Sequence, residues 1–192
     1  MSEAMAWSPI ANRVKRLQRR RDGIASVEFA IVLPLMVLML FGAIEFGRLL
    51  VDYQVVNKSV RDAVRYLSRV RDTAITGVCP DPGAIFLWPA SKAPQPVADL
   101  VSNAVNLAMT GSIDGSGKNL LGYWVDPDTI DIWVDCNDNT AGTFSGAYQY
   151  SDYIPELTMM VDVRFPSGFG WMLPFLDDFS ITVTHNEVHI GD

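Results

Sequence analysis

The chain has 192 residues, of which 49% are hydrophobic and 19% charged. That length holds one modest core and an accessory segment and excludes a large multidomain enzyme, while the composition alone is that of an ordinary globular chain. The placement of charge is more telling. Residues 1–23 carry six basic and two acidic side chains, net +4, whereas the remaining 169 carry nine basic and twenty acidic, net −11. A basic head that abuts an apolar run and precedes an acidic body is the order of a protein held with its N-terminus in the cytoplasm and its bulk outside. It argues against nucleic acid as a partner, because phosphate repels the body.

The first element is apolar and long. Sixteen uncharged residues, Phe29 to Ile44, separate Glu28 from Glu45 and as helix cover about 24 Å, short of the roughly 30 Å hydrocarbon core. Ile24 to Val27 complete the span, so Glu28 falls inside the cytoplasmic edge of a bilayer, where a carboxylate is costly and marks function by default. Glu45 has Arg48 at i+3 to pair with. A cleaved secretory signal would need a small-x-small site after the run, and "FGAIEFGRLL" offers none. A plain signal anchor explains the arginines and the span and leaves Glu28 unexplained. A third reading places processing before the run, between Gly23 and Ile24.

With Ile24 as the first mature residue, "G-IASVEF" resembles the prepilin-peptidase motif of type IV pilins and pseudopilins, a glycine before the cut and a glutamate, here Glu28, at the fifth mature position. The longer string "ASVEFAIVLPLMVLMLFGAIEFGRLL", with "VRDAVRYLS" after it, is similar to TadE-type pseudopilins (TadE/TadF-like family) of the tight adherence (Flp) pilus system. The strong similarity runs from about Gly23 to Leu67. It implies cytoplasmic-side cleavage by a prepilin peptidase, with Gly23 supplying the scissile carbonyl, Ile24 the new amine and Glu28 the acidic partner of a neighbouring subunit's amine. Other pilins or pseudopilins, inner-membrane pilus machinery and membrane lipid are the partners so implied, with no cofactor. The implied place is the bacterial inner membrane, single-pass, with a periplasmic C-terminal domain and transfer to a pilus or the cell surface after assembly. The alternative is a signal-anchored envelope scaffold, binding protein or enzyme that never enters a pilus.

Past the membrane the helix continues. Val56, Val60, Ala63, Val64, Leu67 and Val70 form one stripe at spacings of three and four, with Lys58, Arg61, Asp62, Arg65 and Arg69 elsewhere on the surface. From Ile24 to Val70 the helix would run about 70 Å. Pro34 predicts a kink or a short uncoiled patch. Gly42 and Gly47 are not at GxxxG spacing. Breakers in "DTAITGVCPDPG" end the helix near Arg71, and the three prolines of "WPASKAPQP" make Trp88 to Pro96 a loop.

Val97 to Gly111 reads as a second amphipathic helix with Gly111 as terminator, and "SIDGSGKNLLG" as a turn-rich connector. Alternation then marks three strands, beginning at Thr129, Leu157 and Ser180. The long polar insert from Asn137 to Tyr153 predicts an exposed loop. The fold expected is α+β and pilin-like: a long N-terminal transmembrane and stalk helix, a second helix and a small antiparallel sheet on the helix's outer half. Its parts are a cytoplasmic basic leader at 1–23, a transmembrane helix at 24–50, its extracytoplasmic continuation at 51–72 and an extracytoplasmic domain at 73–192.

Several patterns invite chemistry and fall short of it. "GSIDGSGKN" lacks the glycine that a phosphate loop needs at Ser112 and ends in Asn119 where Ser or Thr belongs, so it is a turn. Asp135, Asn137 and Asn139 mimic the start of a calcium loop, but Thr140 and Gly146 stand where a glycine and a bidentate acid are needed. His185 and His189, on one strand, sit roughly 13 Å apart, too far to share a metal. No nucleophile elbow is present, so no enzymatic activity and no metal site are expected. Cys79 and Cys136 lie in the acidic body, where an oxidising compartment permits a disulfide and two unpaired core thiols are the other reading. "FPSGFGWMLPFL", from Phe165 to Leu176, is either a hydrophobic loop closing the core or a patch for another subunit or the membrane surface.

Overall fold

The computed structural model describes residues 8–70, 79, 83–88, 97–142, 148, 152–166, 168 and 179–190, with only the main chain described over 8–22 and 83–86. The protein is α+β. Helix α1 spans Ser8–Ser68 and helix α2 spans Val97–Thr110, and four strands, β1 (Gly83–Trp88), β2 (Ile130–Asp138), β3 (Tyr153–Arg164) and β4 (Ser180–Val188), form one sheet. The sheet is an antiparallel meander in the order β1-β2-β3-β4. The chain divides into two compact units, Met1–Gly47 and Arg48–Asp192.

Helix α1 starts earlier than expected, at Ser8, because the stretch up to Asp22 is built of straight-chain helix formers with Pro9 in the first turn. It also passes Pro34 without interruption. Of the two outcomes expected at Pro34, a kink or an uncoiled patch, the uncoiled patch does not form: proline removes one backbone bond, to the carbonyl of Ala30, and the helix continues. The far end comes at Ser68 rather than Arg71. There Arg69 and Val70 donate back to the carbonyls of Tyr66 and Leu67, both at 3.3 Å, and the main-chain N–H of Ile190 takes the Ser68 carbonyl at 3.0 Å. The helix stops where a tertiary contact satisfies its last free acceptor.

Within the second unit the predicted stripe is the helix's share of the core except at Val70, which lies past the helix end and is partly buried. Val56, Val60, Ala63, Val64 and Leu67 are fully buried, and Lys58, Arg61, Asp62, Arg65 and Arg69 are exposed. Helix α2 adds Val97, Ala98, Val101, Ala104, Val105, Ala108 and Met109. It ends at Gly111, whose φ of +74° suits glycine and whose N–H reaches the Leu107 carbonyl at 2.9 Å. In the sheet, Ile130, Ile132, Val134 and Cys136 of β2, Leu157, Met159, Val161 and Val163 of β3, and Ile181 and Val183 of β4 are buried against these helices. Trp124 closes the core, its indole N–H donating to the Thr129 hydroxyl at 2.9 Å.

Two strand assignments differ from the sequence reading. Strand β1 was not expected, since "GAIFLW" is short and does not alternate. It adds to β2 with Gly83 opposite Cys136 and a register shift between Phe86 and Trp88. Strand β3 begins at Tyr153, four residues before Leu157, and so contains Pro155. A proline is tolerated there because it sits where the ladder to β4 ends. Its carbonyl accepts the His189 N–H at 2.9 Å, and the His189 carbonyl, which proline cannot serve, receives the Tyr148 hydroxyl at 2.8 Å. The β2–β3 insert is therefore more than an exposed loop. Asn139 is buried, its side chain donates to the Tyr148 carbonyl at 2.8 Å, and burial raises the Tyr148 phenol above its ordinary pKa.

Candidate membrane anchor and processing site

Every residue from Gly23 to Ile44 is exposed in its unit, although nearly all are apolar: Ile24 and Phe29 are each 61% exposed and Ile44 53%. A surface of this kind on a monomer marks a membrane or protein interface. The stretch is the one helix among the described residues long and apolar enough to cross a membrane. Pro34 and Glu28 are both exposed, and Gly23 has open space around the position a side chain would take. Gly23, Ile24 and Glu28 share slightly more than one helical turn, so peptide bond, future amine and carboxylate occur in one short helical segment.

At the near end of the second unit a polar and aromatic cluster fastens α1 to its domain. The Tyr123 hydroxyl donates to Asp52 Oδ2 at 2.8 Å, the Tyr123 and Phe165 rings meet edge to face with centroids 6.3 Å apart, and the Arg48 guanidinium lies 5.8 Å from the Phe165 centroid. Burial, then the Asp52 carboxylate, push the Tyr123 phenol well above its ordinary range, so it remains a donor at physiological pH. Tyr123→Phe removes this charge-assisted bond on a half-buried helix and is expected to lower stability by about 1 kcal/mol, read as a shifted urea midpoint with an unchanged slope. At the far end Arg65 meets Glu187 at 3.4 Å, an exposed pair that adds little.

A disulfide joins Cys79 to Cys136, with Cα atoms 5.7 Å apart and both residues buried. It ties the chain just before β1 to the strand that β1 pairs with. The two histidines separate: His185 is in β4, opposite Met159, while His189 lies beyond the strand end and is buried. No group of three or more His, Cys, Asp or Glu side chains that could hold a metal occurs among the described residues.

The phosphate-like stretch spends its donors internally. Asp114 accepts from the Ser112 hydroxyl, and from the Ser116 N–H at 3.1 Å and hydroxyl at 2.8 Å. These bonds, led by Ser112, hold its carboxyl down at about 2, so the loop already contains its own anion. In the calcium-like stretch, Asp135 accepts the Trp133 indole N–H at 3.0 Å and Asp138 the Thr140 N–H at 2.8 Å, which makes a turn. The latter bond lowers the Asp138 pKa. Gly146 and most of the Phe165–Leu176 segment lie outside the described residues, while Phe165 itself is buried.

Comparison with known proteins sets one segment of the N-terminal helix apart from the rest of the chain. The family model described as TadE-like protein matches residues 23–65, starting at Gly23 and ending three residues before α1 does. Residues 23–65 are similar to the TadE-like family. The match accords with a TadE-type protein of the tight adherence pilus system. Neither curated proteins nor solved structures give a match to the chain. The matched segment thus holds Gly23, Ile24, Glu28 and the apolar run, together with the core residues Val56, Val60, Ala63 and Val64, and the sheet domain lies downstream of it. The anchoring stretch and its exposed apolar surface were legible in the sequence. The fastening of Asp52 to Tyr123 was not, because 71 positions separate the partners.

Proposed function

We infer that this protein is a minor, non-enzymatic pseudopilin-like subunit of tight adherence pilus biogenesis, anchored in the inner membrane by residues 24–50. The basic leader is cytoplasmic, the sheet domain periplasmic, and the mature chain joins a priming complex or the pilus tip. The observation that carries this reading is the TadE-like match that begins on Gly23, directly ahead of an exposed apolar helix with Glu28 near its start. A prepilin peptidase cutting between Gly23 and Ile24 removes the six basic residues in the leader and creates an ammonium on Ile24. In a neighbouring subunit's membrane segment Glu28 meets that ammonium, so each buried charge neutralises the other.

Because the peptide bond lies within α1, the peptidase must first unwind it. Glycine lowers that cost, being about 1 kcal/mol less favourable than alanine in a helix. Intact-mass and N-terminal peptide mass spectrometry on the protein from membranes tests the step. Cells with the peptidase should yield a chain starting at Ile24 and cells without it a chain retaining Met1 or Ser2. An uncut chain in both would remove processing from the account and leave anchoring intact.

A further inference from the structure

Helix α1 carries positive charge opposite its core-forming stripe. Lys58, Arg61 and Arg65, and Arg69 just past the helix end, recur at spacings of three and four and so share one side. All four are exposed, while Val56, Val60, Ala63, Val64 and Leu67 are fully buried. Lys58, Arg61 and Arg69 make no ion pair among the described residues. Asp62 is the one acid interspersed with them.

The outer face of the sheet is acidic. In β2 and β3 the buried residues Ile132, Val134, Leu157, Met159 and Val161 turn to the helices, so Asp131, Asp135, Glu156 and Asp162 share the other side. Asp162 is exposed and the other three are half-exposed. Asp135 lies directly across from Glu156, and Asp131 across from Met160, one diagonal step from Asp162. Like charges so placed destabilise a sheet. Neutral donors orient three of these carboxylates without cancelling their charge: the Trp133 indole on Asp135 at 3.0 Å, the Asn186 and Asn137 amides on Glu156, and the Thr182 hydroxyl on Asp162 at 3.0 Å. None of the four is in an ion pair among the described residues, and Arg164, at the end of β3, is the one cation on this face among them.

The two surfaces are complementary and lie on opposite sides of one domain, because α1 packs on the inner face of the sheet. They cannot meet within one copy. Asp131 and Asp135 stand four residues apart on β2, about 13 Å, and the stripe from Lys58 to Arg69 covers about 16 Å, so one cation reaches each acidic pair. Trp133 and Met160, half-buried between the pairs, offer apolar area to the arginine stems. The chain makes one contact of this kind internally, where Arg65 reaches Glu187 of β4 at 3.4 Å. Each copy has a net charge of −7, but a Debye length of about 8 Å at physiological salt leaves the nearest opposite charges to decide the contact. We propose that the basic side of α1 docks on the acidic outer face of the sheet of a second copy of this chain. Such a heterologous contact leaves one surface of each kind free and builds a ring or a fibre. It involves the second unit alone and does not rest on the anchoring inferred above.

Charge reversal read by cross-linking tests it, and the chain's two cysteines, joined to each other, do not interfere. Differently tagged full-length copies are co-expressed, one with Arg65→Cys at the middle of the stripe and the other with Thr184→Cys, which is exposed on β4 opposite Met160, and are treated with a short bismaleimide. The mixture is expected to give a mixed dimer well above the dimer from either copy alone. Arg61→Glu with Arg69→Glu in the first copy should lower it about tenfold, and Asp131→Lys with Glu156→Lys in the second should do the same, since like charges then meet. The two reversed copies together should restore it. Should a reversed copy fail to accumulate, Arg69→Gln and Asp131→Asn carry the test, each lowering the mixed dimer severalfold and leaving the unfolding temperature within a few degrees. No mixed dimer from copies with their charges intact overturns the pairing. So does a mixed dimer that survives the charge changes, a loss that joint reversal does not restore, or a cross-link from the stripe to a different protein instead.

Discussion

Cys136→Ser is expected to destabilise the sheet domain by about 4 kcal/mol, the loop-closure value for a long bridged segment. The bridge spans 57 positions, a closure large enough for the chain-entropy term to dominate. Its position adds to the effect. Cys136 sits opposite Gly83 in the β2–β1 ladder, and Cys79 enters the core four residues before β1 starts. Without the bridge β1 is held by a six-residue ladder with a register shift, so it should detach before the rest of the sheet. Denaturant unfolding of the oxidised, reduced and Cys136→Ser proteins would show it as a lower midpoint for the last two. Amide exchange should lose protection in β1 first and in β3 last. Equal midpoints for all three would show that the bridge contributes nothing.

If Glu28 has the assembly role proposed above, Glu28→Gln should leave the chain in the membrane and still cut after Gly23, yet lose co-purification with other pilus components by about two to nearly four orders of magnitude. The glutamine keeps shape and helix propensity and removes the charge. In the assembly role proposed above, the change takes away the partner of a neighbour's ammonium in a medium of low dielectric, and an unpaired charge there costs about 3–5 kcal/mol. The readout is the ratio of partner-bound to free protein after detergent extraction, with membrane fractionation and N-terminal mass as controls. Unchanged co-purification with normal processing would show that Glu28 serves the peptidase alone.

Period and charge made the long elements legible. The stripe from Val56 to Leu67 and the alternation from Ile130 to Val134 were visible because each element carries its own burial pattern. Strand β1 was not, since its place depends on pairing with residues about 50 positions away and on the Cys79–Cys136 link. The start of β3 was hidden by Pro155, which reads locally as a stop and is accommodated only because Tyr148 serves the carbonyl that proline leaves open. At the site, the apolar run and Glu28 were apparent from composition. The Tyr123–Asp52 and Arg48–Phe165 contacts came only from the folded chain.

Those contacts, together with the bonds at Ser68, bear on how the protein carries mechanical load. The sheet domain is joined to the outer part of α1 near its start, by Tyr123 on Asp52 and Phe165 beside Arg48, and at its end, by Ile190 on Ser68. A load along the outer part of α1, from Arg48 to Ser68, therefore slides the helix along the sheet instead of peeling it away. Sliding strains the whole buried row from Val56 to Leu67 at once, whereas peeling would break its contacts in turn. A helix fastened at both ends of its buried row resists displacement as one unit.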